Sequence, residues 1–283
     1  MVQVFYVMAM AGLHSMTGEE VYRSEAAAMM DRVLHWAGPG QAELRPRLAG
    51  AGRVSSLATP MCLLSLLRLM EGRGWTPARD TEAGLAAACV QEILSHRVTR
   101  PDSGQIVLET VTATPPGLQV GGAEGRLVNP GHALECGWFL LDWATRHGDP
   151  ALADTAITSF IEGPLEHGWD EQHGGIFYFL DSEGECAAGG CNTLSYAGLP
   201  PTALEWDLKL WWVHLEAMVA TLMAAQHSAS QQHFKLFQKV FDYTFDKVTG
   251  YVIPPFLPKS RHKLMFCRRI LILEPIYTLG ICF

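Results

Sequence analysis

Between Arg126 and Trp138 the chain reads Arg-Leu-Val-Asn-Pro-Gly-His-Ala-Leu-Glu-Cys-Gly-Trp. Asn129 suits a helix N-cap and Pro130 the first helical position, which puts His132 in the first turn and Glu135 beside it, three residues on. An imidazole there is a candidate general base. The plainer alternative is a buried histidine hydrogen-bonded in a helix junction. A metal centre needs more ligands than one His-x-x-Glu supplies.

A second stretch, Leu204 to Leu222, places Leu204, Leu208, Trp211, Leu215, Met218 and Leu222 on one helical stripe. Glu205, Lys209, Trp212 and Glu216 fall on the neighbouring one. An aromatic ring among charged groups suits a sugar, with its face against C–H groups and polar groups for hydroxyls. A solvated Glu-Lys ladder beside half-buried tryptophans fits the spacing equally well. In a third stretch, Gly168 to Phe179, the pair Gly174-Gly175 permits a turn before a short strand at Ile176 to Phe179. Asp170 can cap that turn through its side chain, which is a structural role. Phosphate-binding loops, a Gly-x-Ser-x-Gly elbow and Cys-x-x-Cys pairs are absent.

The elements that must position these residues read as helices. Tyr22, Ala26, Met29, Met30, Val33 and Leu34 recur at helical spacing, as do Leu63, Leu66, Leu67 and Met70. That second run is short for a zipper and reads as one core-facing helix. Strand patterns are brief, chiefly Ile106 to Leu108 and Ile176 to Phe179. Leu13 to Met30 and Leu140 to Phe160 each run helix, polar-Gly-acidic turn (Thr17-Gly18-Glu19, His147-Gly148-Asp149), helix. Repeated hairpins of this size build a solenoid or a closed toroid.

Composition narrows the class. Of 283 residues, 48% are hydrophobic and 18% charged, enough apolar material for a globular core. A net charge of -8 leaves no basic excess for phosphates, so nucleic acid is not expected as a partner. Seven scattered cysteines point to a reducing, cytoplasmic compartment. No apolar run reaches the length of a membrane span.

In this order, Asn129 to Glu135, Gly168 to Gly175 and Leu204 to Met218 resemble the N-acylglucosamine 2-epimerase (renin-binding protein) family, mammalian type. The similarity runs from Phe5 to about Lys247 and includes Phe5 to Met10, Val33 to Trp36 and Val107 to Glu109. The resemblance implies an all-α fold, an incomplete (α/α)6 toroid or six-hairpin barrel with short β-hairpins in its loops. Residues 1–247 would form the partial domain, with 187–200 as a loop insert and 248–283 as a divergent, poorly ordered tail. It further implies interconversion of N-acetylglucosamine and N-acetylmannosamine, feeding sialic-acid metabolism, in a homodimer activated by ATP or a related nucleotide. The chemistry itself needs no cofactor or metal, and the family's second name records an association with renin.

By family motif, His132 and Glu216 map to catalytic positions, and Arg126, Glu135 and Trp212 are expected around the substrate. The family's C-terminal Phe-His-x-Pro-Arg segment has no match between Val248 and Phe283, and its first helices, which precede Phe5, are missing; His262 is therefore not assigned a role. An open toroid exposes helix faces, so instability or dependence on a partner is expected. Two other functions follow from the same residues. One is a noncatalytic protein binding renin or epimerase subunits; the other is a glycosidase using two of Glu135, Glu205 and Glu216.

Overall fold

The computed structural model describes residues 2–37, 53–71, 82–100, 104–113, 115–182 and 208–248. The expected loop insert at 187–200, the tail from 249 and the stretch Leu204 to Trp206 lie outside these. The described chain falls into two compact units, one holding 2–37 with Thr59–Gln91, the other holding Arg53–Ala58 and the chain from Glu92 onward.

In the first unit, α1 (Val2–Thr17) and α2 (Glu20–Ala37) form the expected hairpin. Gly18 takes a positive φ of 74°, and Thr17 Oγ1 accepts the Glu19 amide at 3.1 Å. The third helix, α3 (Ala58–Glu71), lies mostly in this unit and buries Leu63, Leu64, Leu66, Leu67, Leu69 and Met70, as a core helix rather than a zipper does. It is followed by α4 (Glu82–Ser95).

The second unit sets short strands against a helical stack. Strand β1 (Val54–Ser56) pairs antiparallel with β4 (Thr110–Ala113), which pairs with β5 (Pro116–Gln119); β2 (Arg97–Arg100) and β3 (Gly104–Val107) form a hairpin. Strand β6 (Leu127–Val128) pairs with β7 (Leu180–Asp181). Ile106, Leu108, Val111 and Val128 make a small buried cluster among them.

Helix α5 (Pro130–His147) packs against α8 (Trp211–Ser228), and α8 packs against α9 (Gln231–Tyr243). Helix α5 ends as the sequence predicts. Gly148 adopts the left-handed conformation that stops a helix, and Asp149 caps α6 (Pro150–Thr155) by accepting the Leu152 amide at 3.0 Å. From α6 the chain continues through a π-helical stretch, Ala156–Glu162, into α7 (Gly163–Gly168). Pro164 has no amide hydrogen to give, and Gly163 bonds five residues back to Thr158 O.

Two expectations are corrected. The strand foreseen over Ile176 to Phe179 is one bridge, Trp169 to Ile176, and regular pairing starts only at Leu180. The opposite arm emerges from α7 at Gly168, which leaves too little extended chain to pair with. The helical stripe from Leu204 to Leu222 also fails at its start, because α8 begins at Trp211. Leu208 and Lys209 precede the first turn, and Leu208 and Trp211 are 43% and 41% exposed, so neither belongs to a buried stripe. The face that α8 buries is instead made by Val213, His214, Ala217, Met218, Ala220, Thr221 and Ala224, with Leu222. Its alanines allow close approach of neighbouring helices. Among the described residues no helix is long and apolar enough to cross a membrane.

Candidate active site

The first turn of α5 is built as its sequence demands. Asn129 is extended and its Oδ1 accepts the His132 amide at 3.1 Å, with Pro130 next in line. His132 is thereby fixed at the helix start. Its Nδ1 lies 2.9 Å from Glu109 Oε2, and since an ionised carboxylate only accepts, the imidazole donates through Nδ1–H. Glu109 sits between β3 and β4.

The other wall comes from α8. Trp212 stands in its first turn and Glu216 one turn later, on the same side. The Trp212 ring lies 5.6 Å from the His132 ring, tilted by 39°, and meets Tyr178 edge-on at 5.9 Å. Gly131 makes this possible: a Cβ there would stand 2.6 Å from Trp212 Cη2. Glu216 Oε2 accepts the Trp138 indole N–H at 2.7 Å, which ties α8 to α5.

Burial pushes the Glu216 carboxyl up to about 7, against the pull of the Trp138 bond and of His132. Burial also drives Glu135 well above the usual carboxylate range, and the neighbouring Glu216 adds to the shift. Two carboxyls this close resist ionising together, so the pair retains a proton near neutrality. His132, Glu135, Trp212 and Glu216 are thus brought together within the second unit. They assemble an imidazole, a proton-holding carboxyl pair and an aromatic face.

Arg126 is held differently. Its Nε donates to Asp181 Oδ1 at 2.9 Å and its Nη2 to Oδ2, while the Asp181 side chain is fully buried. Pairing of β6 with β7 makes this clamp, and it occupies the guanidinium fork. Lys209, expected beside Trp212 and Glu216, instead sits 3.1 Å from Asp170 and over the Phe177 ring. Burial alone would raise the Asp170 carboxyl, but the His173 and Gln172 amides and Lys209 hold it at about 2. Asp170 therefore organises its turn, as the sequence suggested. His214 is fully buried, donates from Nδ1 to Leu210 O at 2.7 Å and accepts the Ile176 amide at Nε2, at 3.0 Å. Burial lowers its pKa to about 4, with Lys209 adding to the effect, and the neutral ring acts as a strut.

Sequence reasoning did not single out Glu109, Trp138 or Asp181. Trp138 carried a usable signal, lying three residues beyond Glu135 on the same helix. Glu109 is 23 residues from His132 and Asp181 is 55 from Arg126, and only the strand pairing brings them in. Among the described residues no group of three or more His, Cys, Asp or Glu is placed to hold a metal.

The family model described as N-acylglucosamine 2-epimerase (GlcNAc 2-epimerase) matches residues 87–253. The N-acylglucosamine 2-epimerase of Mus musculus is 44% identical over 244 residues, which is 86% of this chain and 54% of that protein. The enzyme of Homo sapiens is 41% identical over 244 residues, 86% of this chain and 52% of its own length. The chain thus spans about half the length of the curated relatives it matches. Among solved structures, the cellobiose 2-epimerase of Bacillus thermoamylovorans superposes with a TM-score of 0.61 at 14% identity, over 90% of this chain and 61% of that one. A sugar epimerase from a ruminal bacterium gives 0.58 at 13%, over 89% and 60%. At such identities the likeness speaks for the fold alone. That fold is of the all-α, (α/α)6 toroid class with short hairpins in its loops.

Proposed function

Because the chain belongs to the N-acylglucosamine 2-epimerase family, we propose that it acts on N-acetylhexosamines, interconverting N-acetylglucosamine and N-acetylmannosamine by moving the proton at C2. In the open-chain sugar that C–H is acidified by the neighbouring C1 carbonyl. A base takes the proton, negative charge gathers on the carbonyl oxygen, and a proton returned to the opposite face gives the epimer.

One observation carries this reading: the His132 imidazole, held by Glu109 at the start of α5, stands 5.6 Å from the Trp212 ring of α8, the helix whose Glu216 shares a proton with Glu135. His132, donating through Nδ1, keeps Nε2 for the C2 proton. A carboxyl titrating at about 7 can hold a proton for the developing oxyanion or give it up. Trp212 offers a ring face to the sugar's C–H groups. Arg126, engaged by Asp181 through Nε and Nη2, shapes the surround of the site.

The test is solvent exchange. Incubated with N-acetylmannosamine in deuterium oxide, the chain should replace the C2 hydrogen by deuterium and form N-acetylglucosamine, both followed by proton NMR; His132→Gln should stop both. A folded chain that exchanges neither sugar would end this reading. Family membership also suggests a homodimer, nucleotide activation, a renin partner, a cytoplasmic setting and a role in supplying sialic-acid metabolism. Those suggestions rest on membership alone.

A further inference from the structure

We infer that Glu109 is the positioning residue of this site: it holds His132 in the Nδ1–H tautomer and so leaves the Nε2 lone pair as the base. The inference rests on the reading of His132 given above for its consequence in turnover, but its geometry stands by itself.

An imidazole has two nitrogens, and which one carries the proton is set by the partner of the other. Glu109 Oε2 is 2.9 Å from His132 Nδ1, and both side chains are largely shielded, at 12% and 19% exposure. His132 Nε2 makes no hydrogen bond among the described residues. Glu109 could hold the ring only if it were itself immobile, and its backbone is fixed on both sides. The Glu109 amide donates to Leu127 O at 2.8 Å, and the Glu109 carbonyl accepts the Leu57 amide at 2.9 Å. The residue before it is held as firmly. His96, fully buried, donates from Nδ1 to Leu108 O at 2.8 Å, and the Leu108 amide returns a bond to His96 O at 2.9 Å.

Three segments thus meet at the two residues preceding β4, and the one acid there faces the imidazole. The Trp212 ring lies 5.6 Å from the imidazole, tilted by 39°. Position and tautomer are fixed by different partners: Asn129 holds the backbone of His132, and Glu109 holds its Nδ1–H. An ion pair serving stability alone would be indifferent to which nitrogen is left bare.

The test reads the tautomer directly. In chain labelled with 15N-histidine, long-range proton–nitrogen correlation above neutral pH assigns His132 as the signal missing from His132→Gln. Wild type should show Nδ1 protonated and Nε2 bare. Glu109→Leu should move the proton to Nε2 and lower kcat for C2 exchange by about a hundredfold or more, with KM changed by less than about threefold. Glu109→Asp, which keeps charge and acceptor, should restore the tautomer and part of the rate. Protonation at Nε2 in wild type overturns the inference. So does an Nδ1–H signal that persists in Glu109→Leu, or a rate loss without a tautomer change. Should Glu109→Leu fail to fold, the wild-type and Glu109→Asp spectra decide. If the tautomer follows Glu109 while neither sugar exchanges in wild type, the positioning geometry holds and the assigned reaction falls.

Discussion

Trp138 and Glu216 lie 78 residues apart in sequence and meet as indole donor and carboxyl acceptor at 2.7 Å. The contact joins the helix that bears His132 to the helix that bears Trp212. An indole N–H this well buried needs a partner, and a buried carboxyl needs donors, so each satisfies the other. The bond stabilises the ionised form of Glu216 while burial opposes it, and the two together leave the group at about 7.

Glu216 therefore has a cost that depends on pH. Its carboxyl ionises near 4.5 without its surroundings and at about 7 in the fold, so the folded state binds the proton more tightly. The sign follows: its contribution to stability is complete below about 4.5 and is lost as pH rises through about 7. Glu135 runs in the same direction. Glu216→Gln keeps an oxygen for Trp138 and removes the charge. Urea unfolding should show it more stable than wild type by roughly 1–3 kcal/mol at pH 8, the gain shrinking towards zero as pH falls to about 4.5. C2 exchange should fall sharply in the same variant, and a pH-independent difference would contradict the argument.

Asn129 bears on stability and geometry together. Its side chain satisfies the amide of His132 itself. Asn129→Ala should cost about 1 kcal/mol in urea unfolding. Because the lost bond is to His132, kcat should drop as well, and Asn129→Asp should restore both. A stability loss with unchanged kcat would mean that the cap does not set the position of the imidazole.

Local signals made much of this legible. The cap at Asn129, the stop at Gly148, the cap at Asp149 and the turn at Asp170 are each written within four or five residues, and each forms as its residue types require. Spacing along one helix likewise pairs Trp212 with Glu216. The start of α8 was not legible from periodicity, because Leu208 and Trp211 continue an apolar rhythm that the chain does not bury. Nor were Glu109 and Asp181, whose partners arrive through strand pairing between distant segments. Short strands of two to four residues carry too little alternation to announce such pairing.

The Arg126–Asp181 clamp should act on stability before binding. Asp181 is fully buried, and removing the guanidinium leaves its charge without that partner. Arg126→Leu is expected to destabilise the chain by about 3–5 kcal/mol, whereas Asp181→Asn with Arg126 intact should cost less, since Arg126 retains solvent contact. Calorimetric melting of both variants measures this. If Arg126→Leu melts like wild type and only raises KM, Arg126 contacts substrate and the structural assignment is wrong.

Gly131 offers the sharpest test of how α5 and α8 are fitted. Replacing it with Ala would bring a methyl to 2.6 Å from Trp212 Cη2, 2.7 Å from Cζ3 and 2.9 Å from Val213 Cγ2. Alanine improves helix propensity by about 1 kcal/mol over glycine, while overpacking costs roughly 1–3 kcal/mol, so a net loss is expected. The strain should push Trp212 away from its place beside His132 and raise KM more than it lowers kcat. Trp212→Phe removes the outer ring atoms that Gly131→Ala strikes. The double variant should therefore recover most of the stability lost by Gly131→Ala, departing from additivity by about 1 kcal/mol or more. Strictly additive losses would show that the two helices part easily at this point, and that Trp212 is not held against His132 by the glycine.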